Sequence, residues 1–348
     1  MPQVWDVPVH DSTRVRDARV AAEEAAALAG LDESRAAAAA LVATELATNL
    51  LKHGGGGQLL VEVVAPPTGR SGVVVQIAAV DHGPGIADVD AAFGDGFTTT
   101  GSLGAGLGTC RRVADDFDLH SLPGRGTVAL ARVGASRPKT YTREPVPARA
   151  GGVNIPFAGD ACSGDAWTFV RAEDRMTLML ADGLGHGPAA ARASGAAVEE
   201  LHRSAHLRPS EVLRRLDGAL RGTRGAAVAV AQLDLRAGRL FFAGIGNVGA
   251  RLREGGDWRH LLSRPGIVGV HRPTSLPETE TAWGADRLLV LHSDGLPSRW
   301  TPPSDPRLPA MDPAVTAAVT VRDASSSARP VRDDTAVAVL SPTPPDRP

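Results

Sequence analysis

Two hydrophobic patterns divide the first 134 residues into helices and strands. Residues 12–28 and 33–51 carry apolar side chains, mostly alanine, at helical spacing. Asp11 or Ser12 can cap the first run, and Asp32 or Ser34 can cap the second. The first run is expected to stop at Gly30, and GGGG at 54–57 breaks the second. Shorter apolar runs bounded by turn residues predict strands at 4–9, 58–64, 73–80, 117–121 and 127–133, with a short helix at about 109–115.

The second half of the chain repeats this mixture in a different order. Long helices are predicted over 188–205, which is rich in alanine, and over 211–220, which follows Pro209 and Ser210. The remaining apolar runs predict strands at 168–171, 176–182, 226–235, 240–243, 248–252, 287–291 and 335–340. The fold class is therefore mixed α/β (α+β) throughout.

The stretch between the two patterns has the composition of a linker. GASRPKTYTREPVPARAGG mixes Pro, Gly, Ser and charged residues. A chain of 348 residues also suits two domains. We expect a first domain over 1–134, a linker over 135–152, a second domain over 153–341 and a disordered tail over 342–348.

Composition and charge exclude several classes of protein. The formal net charge is -2, so no basic surface is forced, and nucleic acid is not expected as a partner. The N-terminus lacks a secretory signal, and no uncharged apolar run reaches the ~18 residues of a membrane span. Two cysteines give neither a disulfide framework nor a zinc spacing. A cytoplasmic protein without membrane contact is expected.

Polar side chains in the first half mark a candidate site. The segment ELATNLLKH places four of them on one face of the second helix: Glu45, Asn49, Lys52 and His53. Such a face is either solvated or catalytic. A strand then ends at Asp81 in DHGPGI, and glycines at 104, 106 and 108 precede a helix, an arrangement suited to phosphate.

Carboxylates at strand termini mark a second candidate site. They are Asp165, Asp182, Asp294 and the pair Asp333/Asp334. Carboxylates that converge repel one another and need cations, whereas unrelated turn aspartates would not converge. The sequence LMLADGLGHGP, with Gly183 directly after Asp182, suits a hard divalent cation. The adjacent residues His292, Ser293 and Asp294 cannot form a catalytic triad, because neighbouring strand residues point to opposite faces.

The first set of motifs resembles a known family. ELATNLLKH, DHGPGI, GSLGAGLG and GRGT, in this order over residues 4–134, resemble the GHKL ATP-binding (Bergerat) α/β sandwich, and most of all switch kinases and anti-sigma factors of the RsbT and RsbW type. The resemblance implies that Asn49 holds Mg²⁺ on ATP and that Glu45 is the general base. It places Lys52 and His53 near the phosphates. It implies an adenine pocket at Asp81, Gly83, Gly85 and Thr127, and a phosphate lid at Gly104, Gly106 and Gly108. The lid is shorter than the RsbT-type pattern and contains alanine.

The second set resembles another family. GDACSGDAW, ADGLGHGPAA, GIGN, HSDGL and RDDTAV, in order over about 152–341, resemble metal-dependent Ser/Thr phosphatases of the SpoIIE and RsbX type, which have a PPM-type β-sandwich flanked by helices. The resemblance implies two Mn²⁺ or Mg²⁺ ions bridged by Asp182, with the Gly183 carbonyl as a ligand. Asp294 and Asp333 would hold the second ion, and Asp165 would be a further metal ligand or lie directly behind the ligands. Asp165 and Asp182 would be the catalytic carboxylates.

Together the two resemblances imply a bifunctional regulator of a bacterial partner-switching stress pathway. The phosphatase would act on phosphoserine or phosphothreonine of a STAS-type anti-anti-sigma or stressosome protein, and the ATP-binding domain would phosphorylate the same class. Two alternatives stay open. The GHKL domain is only an ATP sensor or docking module, or the chain is an anti-sigma factor that binds a sigma factor. A dimer is compatible with either.

Overall fold

Three five-stranded sheets form the framework of the computed structural model, which describes residues 3–69, 72–89, 106–135, 147–157, 162–326, 331 and 333–344. All strand pairs within these sheets are antiparallel. The described residues also form six α-helices. None of these helices combines the length and the apolar character needed to cross a bilayer.

The first sheet belongs to the N-terminal half. Its strands are β1 (Val4–Val9), β2 (Gly57–Val64), β3 (Val74–Val80), β4 (Asp116–Leu122) and β5 (Gly126–Gly134), in the spatial order β1-β2-β3-β5-β4. Three helices cover one face: α1 (Ser12–Leu28), α2 (Glu33–His53) and α3 (Gly106–Val113). Asp11 and Asp32 cap α1 and α2 by accepting hydrogen bonds from backbone N–H groups of the first turns, as predicted.

The second half is a sandwich of two sheets. One sheet has the order β13-β10-β9-β8-β7 and the other β12-β11-β14-β15-β6. The first comprises β7 (Asp165–Ala172), β8 (Arg175–Gly183), β9 (Ala226–Asp234), β10 (Arg239–Ile245) and β13 (Thr279–Ala282). The second comprises β6 (Ala148–Ile155), β11 (Gly249–Glu254), β12 (Asp257–Leu261), β14 (Leu288–His292) and β15 (Thr335–Pro342). Their inner faces share one buried apolar core.

Helices cover both outer faces of this sandwich. α4 (Pro188–Ser204) and α5 (Pro209–Ala219) pack on the β7–β10 sheet. α6 (Pro313–Ala324) packs on the sheet that contains β15. A 3₁₀ turn, Leu308–Ala310, precedes α6. The expectation of a two-domain α/β protein with a helix-flanked sandwich is therefore confirmed.

The same helix α6 also joins the two halves of the chain. The face of the first sheet that α1–α3 leave uncovered presents Leu60, Ala78, Val80, Val128 and Leu130, and these belong to one core with α6. Every residue from 313 to 322 is buried. The layers therefore run from α1–α3 through the first sheet, α6 and the two sheets of the sandwich to α4 and α5.

Buried polar contacts accompany this shared core. Asp312, the N-cap of α6, forms a two-pronged ion pair with Arg132 of β5, at 2.6 Å and 2.8 Å. Gln76 of β3 accepts from Arg132 and donates to the Gly152 carbonyl of β6 at 2.9 Å. The Trp167 indole donates to Glu62 of β2 at 3.2 Å. Because these partners are removed from water, separating the halves would leave charges and donors unpaired in apolar surroundings.

Three features differ from the expectations. Residues 148–152, assigned to the linker, form the start of β6, because they pair with β15 despite their glycines. Helix α6 and the strands β12 and β13 had no sequence prediction. The segment of α6 is buried on every side over 313–322 and contains several β-branched residues, so its apolar positions show no helical periodicity. Finally, α3 begins at Gly106 rather than near Thr109.

The buried Glu62 makes the contact between the halves sensitive to pH. Burial raises its pKa from 4.5 to about 8, although the hydrogen bond from Trp167 and smaller effects of Asn154, Gln76 and Arg132 oppose this. The folded protein therefore favours the neutral carboxyl. The stability that the neutral Glu62 carboxyl contributes is complete below about pH 4.5 and is lost as the pH rises through about 8.

We expect Glu62→Gln to flatten the decline of the free energy of unfolding between pH 5.5 and pH 8. At pH 8 the variant should be more stable than the parent by about 2 kcal/mol, since the amide needs no proton to stay neutral. Urea unfolding at both pH values measures this. Glu23→Gln, at an exposed position of α1, serves as the control. Equal pH slopes in the parent and Glu62→Gln would contradict the assignment.

Candidate functional site

Asp81 lies at the end of β3 in a pocket made of backbone groups. One of its carboxylate oxygens, Oδ1, accepts hydrogen bonds from the Gly83 N–H at 2.8 Å and the Thr127 N–H at 3.1 Å. Burial raises the pKa of this carboxyl, and the two hydrogen bonds and the more distant Arg322 partly offset the rise. The arrangement fixes the direction of the carboxylate.

Glycines allow the loops around Asp81 to approach each other closely. At Gly85, with φ +72°, a Cβ atom would lie 2.1 Å from the Leu122 carbonyl oxygen. At Gly126, with φ +81°, it would lie 2.0 Å from the Asp81 carbonyl oxygen. No other residue fits at either position without backbone movement. The structure thus brings Asp81, Gly83, Gly85 and Thr127 together at one end of the first sheet.

The polar face of α2 meets the N-terminus of α3. A Cβ atom on Gly106 would lie 3.1 Å from Glu45 Oε2 and 3.4 Å from both polar atoms of the Asn49 amide. The Asn49 Nδ2 atom is buried and has no hydrogen-bond partner among the described residues. A donor without a partner beside a helix N-terminus suits a bound anion.

The other residues predicted for this site are placed less decisively. Gly108 is buried inside α3. Lys52 and His53 are exposed in the last turn of α2, where positive charge suits the helix dipole. Gly104 and the rest of the predicted lid up to Ala105 lie outside the described residues.

A second cluster forms where strand ends of the sandwich converge. Asp165 begins β7 and lies directly opposite Asp182, near the end of β8. From the facing sheet, Asp294 follows β14, and Asp333 and Asp334 precede β15. Carboxylates that the sequence separates by as many as 169 positions therefore meet at one end of the sandwich.

The carboxylates of this cluster lie close enough to raise one another's pKa values. Burial raises the pKa of Asp182 to about 7, and the charges of Asp294, Asp333 and Asp334 add to the rise. The pKa of Asp165 is also well above its ordinary value, through burial and the charges of Asp182, Asp334 and Asp294. Like charges held this close destabilise a protein unless a cation compensates them.

The donor set fits hard divalent cations. The Oδ2 atom of Asp165 is buried and lacks a hydrogen-bond partner within the described ranges. Carboxylate oxygens are the ligands that Mg²⁺ and Mn²⁺ prefer. Across these same ranges no three Asp, Glu, His or Cys side chains already form a closed ligand set. The carboxylates therefore converge, but their side chains would have to move before they could form a metal-binding ligand set.

Gly183, the last residue of β8, is required by packing. A Cβ atom there would lie 2.3 Å from the Ala190 carbonyl oxygen in α4. Its N–H donates to the Gly164 carbonyl at 3.1 Å, which links β8 to the residue before Asp165. A glycine at this position therefore lets α4 begin directly beside the carboxylates.

Sequence reasoning named the pair Asp333/Asp334 without separating their roles, and it missed Asn154. Asp334 is buried and accepts from the backbone N–H groups of Phe157 at 2.8 Å and Gly164 at 2.9 Å, whereas Asp333 is exposed. The alternation of strand residues could have separated the roles of this pair. Asn154 of β6 is buried and donates to the Asp165 carbonyl at 2.8 Å. Nothing in the local sequence marks it.

The surroundings of Asp294 agree with the rejection of a triad. The Asn247 amide, from the GIGN motif, donates to Asp294. The His292 ring packs edge-on against Trp300 with centroids 4.9 Å apart, and its Nδ1 atom lies 2.9 Å from the Ser293 carbonyl oxygen. The Ser293 hydroxyl instead accepts from the Ala336 N–H at 2.9 Å. His292 is therefore not placed to activate Ser293.

Comparisons with known families match both halves of the chain. Residues 9–132 match the histidine kinase-like ATPase domain, and residues 172–342 match the stage II sporulation protein E (SpoIIE) family. Among curated proteins, the serine/threonine-protein kinase RsbT of Bacillus subtilis (strain 168) is 45% identical over 84 residues. That alignment covers 24% of this chain and 61% of RsbT.

Similar solved structures include a phosphatase domain and RsbX. A structure of the phosphatase domain of SpoIIE from Bacillus subtilis with a fragment of its regulatory domain has a TM-score of 0.49 and 14% identity, covering 81% of this chain and 82% of that one. A magnesium complex of RsbX has a TM-score of 0.48 and 18% identity, covering 58% of this chain and 98% of that one.

Each family match contains most of one candidate site, although Asp165 precedes the second match. The first contains Glu45, Asn49 and Asp81, and the second contains Asp182, Asp294 and Asp333. Residues 9–132 are thus similar to the histidine kinase-like ATPase domain family, and residues 172–342 are similar to the SpoIIE family.

Proposed function

We propose that the protein is a bifunctional regulator of a bacterial partner-switching pathway. Its C-terminal domain hydrolyses phosphoserine or phosphothreonine on a STAS-type protein. Its N-terminal domain binds Mg·ATP and phosphorylates a protein of the same class. The convergence of carboxylates from two facing sheets carries the phosphatase half of this proposal.

The carboxylate cluster supplies what ester hydrolysis needs. Two Mn²⁺ or Mg²⁺ ions would supply an activated water and neutralise the phosphate charge. Asp182 and the Gly183 carbonyl would hold these ions together with Asp294 and Asp333. Asp165 would bind or orient the reacting groups beside them. No cysteine nucleophile is required, and burial raises the pKa of Cys110 to about 12, which keeps that thiol protonated.

The face of α2 supports the ATP-dependent half. Asn49 would ligate Mg²⁺ on the phosphates, and Glu45, one helical turn earlier, would accept the proton of an attacking hydroxyl. The Asp81 carboxylate would accept from the amino group of adenine, with Gly83, Gly85 and Thr127 around the base. Lys52 and His53 would lie near the phosphates, and Gly104, Gly106 and Gly108 would enclose them.

A specific observation favours a second candidate function, in which the ATPase-like domain is a sensor. The two domains share the core around α6 and the buried Arg132–Asp312 pair, so the N-terminal domain is placed to influence the phosphatase. Loss of nucleotide binding would then change phosphatase output, whereas loss of the base Glu45 would not. An anti-sigma role would instead be revealed by a pull-down that recovers a sigma factor and no STAS protein.

Asp182→Asn is expected to lower Mn²⁺-dependent hydrolysis of p-nitrophenyl phosphate by on the order of 100-fold or more. Because the amide removes a repelling charge, the variant should also unfold at a higher temperature than the parent in the absence of metal. Mn²⁺ at 100 times its Kd should stabilise the parent by ~2.7 kcal/mol and the variant much less. Steady-state kinetics and thermal unfolding measure these effects.

Asp174→Asn is the matched control, since Asp174 is exposed in the turn between β7 and β8 and pairs with the exposed Arg236. It should leave both measurements unchanged. Turnover without metal, or full activity of Asp182→Asn, would refute the phosphatase assignment.

The ATP-dependent half is tested in the Asp182→Asn background, where product phosphate is retained. Glu45→Gln should keep the affinity for a fluorescent ATP analogue but lower phosphate transfer to a purified STAS protein by at least about 100-fold. Asn49→Ala should lose both binding and transfer, because the metal ligand is gone. Filter binding and transfer of radiolabelled phosphate provide the readouts.

Glu33→Gln, an exposed change in the first turn of α2, controls for effects on the helix. If no STAS protein is phosphorylated although the analogue binds, the kinase role fails and the sensor role is favoured. If the analogue does not bind, both nucleotide roles are wrong.

A further inference from the structure

One fully buried arginine of the phosphatase domain lies beneath the candidate adenine pocket of the other domain. The side chain of Arg322, near the C-terminus of α6, is 0% exposed. Its Nη1 atom lies 3.3 Å from the Gly126 carbonyl oxygen and 3.4 Å from the His120 Nδ1 atom. Neither the metal cluster nor the nucleotide chemistry described above uses this residue.

The contacts of Gly126 connect Arg322 to Asp81. A Cβ atom on Gly126 would lie 2.0 Å from the Asp81 carbonyl oxygen, so the two backbones are in direct contact. The next residue, Thr127, donates its N–H to the Asp81 carboxylate at 3.1 Å and accepts from the Asp81 N–H at 3.0 Å. A displacement of Gly126 would therefore displace the carboxylate that faces the base.

A second contact fixes the other side of the same loop. The backbone carbonyl of Arg322 lies 3.0 Å from the Nε2 atom of His82, the residue after Asp81. The positive charge of Arg322 also lowers the pKa of Asp81 against the effect of burial, so it favours the ionised carboxylate. Arg322 thus contacts the pocket through its side chain, its backbone and its charge.

Further bonds between the domains secure this junction. His120 Nε2 lies 3.0 Å from Asp305, and Asp118 accepts from the Asp312 N–H at 2.7 Å. Arg125 in the β4–β5 turn pairs with Asp323 at 3.3 Å. The loops that form the adenine pocket therefore rest on the phosphatase domain from several directions.

We propose that Arg322 is a positioning residue for nucleotide binding, so that the adenine pocket is complete only when the phosphatase domain supplies it. The inference rests on the nucleotide site proposed above.

The first test measures the affinity of the full chain for a fluorescent ADP analogue with Mg²⁺. Arg322→Gln removes the charge and should weaken binding by about tenfold, within the usual range of couplings between sites. Arg322→Lys keeps the charge beside Asp81 and should restore part of the affinity. Arg14→Ala removes an exposed ion pair on α1, away from this junction, and should bind like the parent.

Thermal unfolding separates positioning from general stability. The inference requires that Lys and Gln variants with similar unfolding temperatures differ in affinity. Parent-like affinity in Arg322→Gln would overturn it. A parent chain that binds no analogue would instead refute the proposed nucleotide site itself.

A measurement on the unmodified protein covers the case in which the variants do not fold. Addition of ADP and Mg²⁺ should slow amide hydrogen exchange both around Asp81 and in residues 320–326, while residues 195–204 of α4 are unchanged. Protection around Asp81 without any change in 320–326 would overturn the proposal.

Discussion

The structure depends on the complete burial of one helix between two sheets. α6 has no face in contact with water, because the first sheet covers one side and the sheet containing β15 covers the other. Apolar burial of this kind is the main favourable contribution to folding, and here it acts across a domain boundary. The Asp312–Arg132 pair adds direction, since a buried two-pronged ion pair tolerates little rotation.

A second, destabilising constraint lies at the end of the sandwich where the carboxylates converge. The pairing of β7 with β8 puts Asp165 directly opposite Asp182, and the facing sheet adds Asp294 and Asp333. Hydrogen bonds from Phe157, Gly164 and Asn154 fix the backbone around these charges, so they cannot relax by moving apart freely. A protein tolerates such repulsion where a ligand relieves it, and this is the physical basis for a cation site.

Much of the fold was predictable because local signals agreed with the final structure. Caps at Asp11 and Asp32, glycine-bounded apolar runs and carboxylates at strand ends all indicated the observed elements. Helix α6 was not predictable, since a helix buried on every side loses the periodicity that reveals helices. The pairing of residues 148–152 with β15 is a contact across most of the second half, and it cannot be deduced from local composition.

The candidate sites were likewise predictable only in part from the sequence. The sequence places Glu45 and Asn49 on one helical face and locates the aspartates that meet near Asp182. It could not show that Asp334 bonds to backbone groups while its neighbour Asp333 is exposed, nor that Arg322 lies under Asp81, because those facts depend on how distant segments pack.

The face of the first sheet that packs against α6 has a consequence for how such chains can evolve. On its own, the N-terminal domain would expose an apolar patch to solvent, and such patches promote association with other proteins. The patch comprises Leu60, Val80, Val128 and Leu130. A gene that encoded this domain alone would have to replace those side chains with polar ones or acquire another protein to cover them. The fusion of the two domains therefore depends on the alternation of a few strand residues. A separated N-terminal domain would need either polar residues at these positions or a partner that covers them.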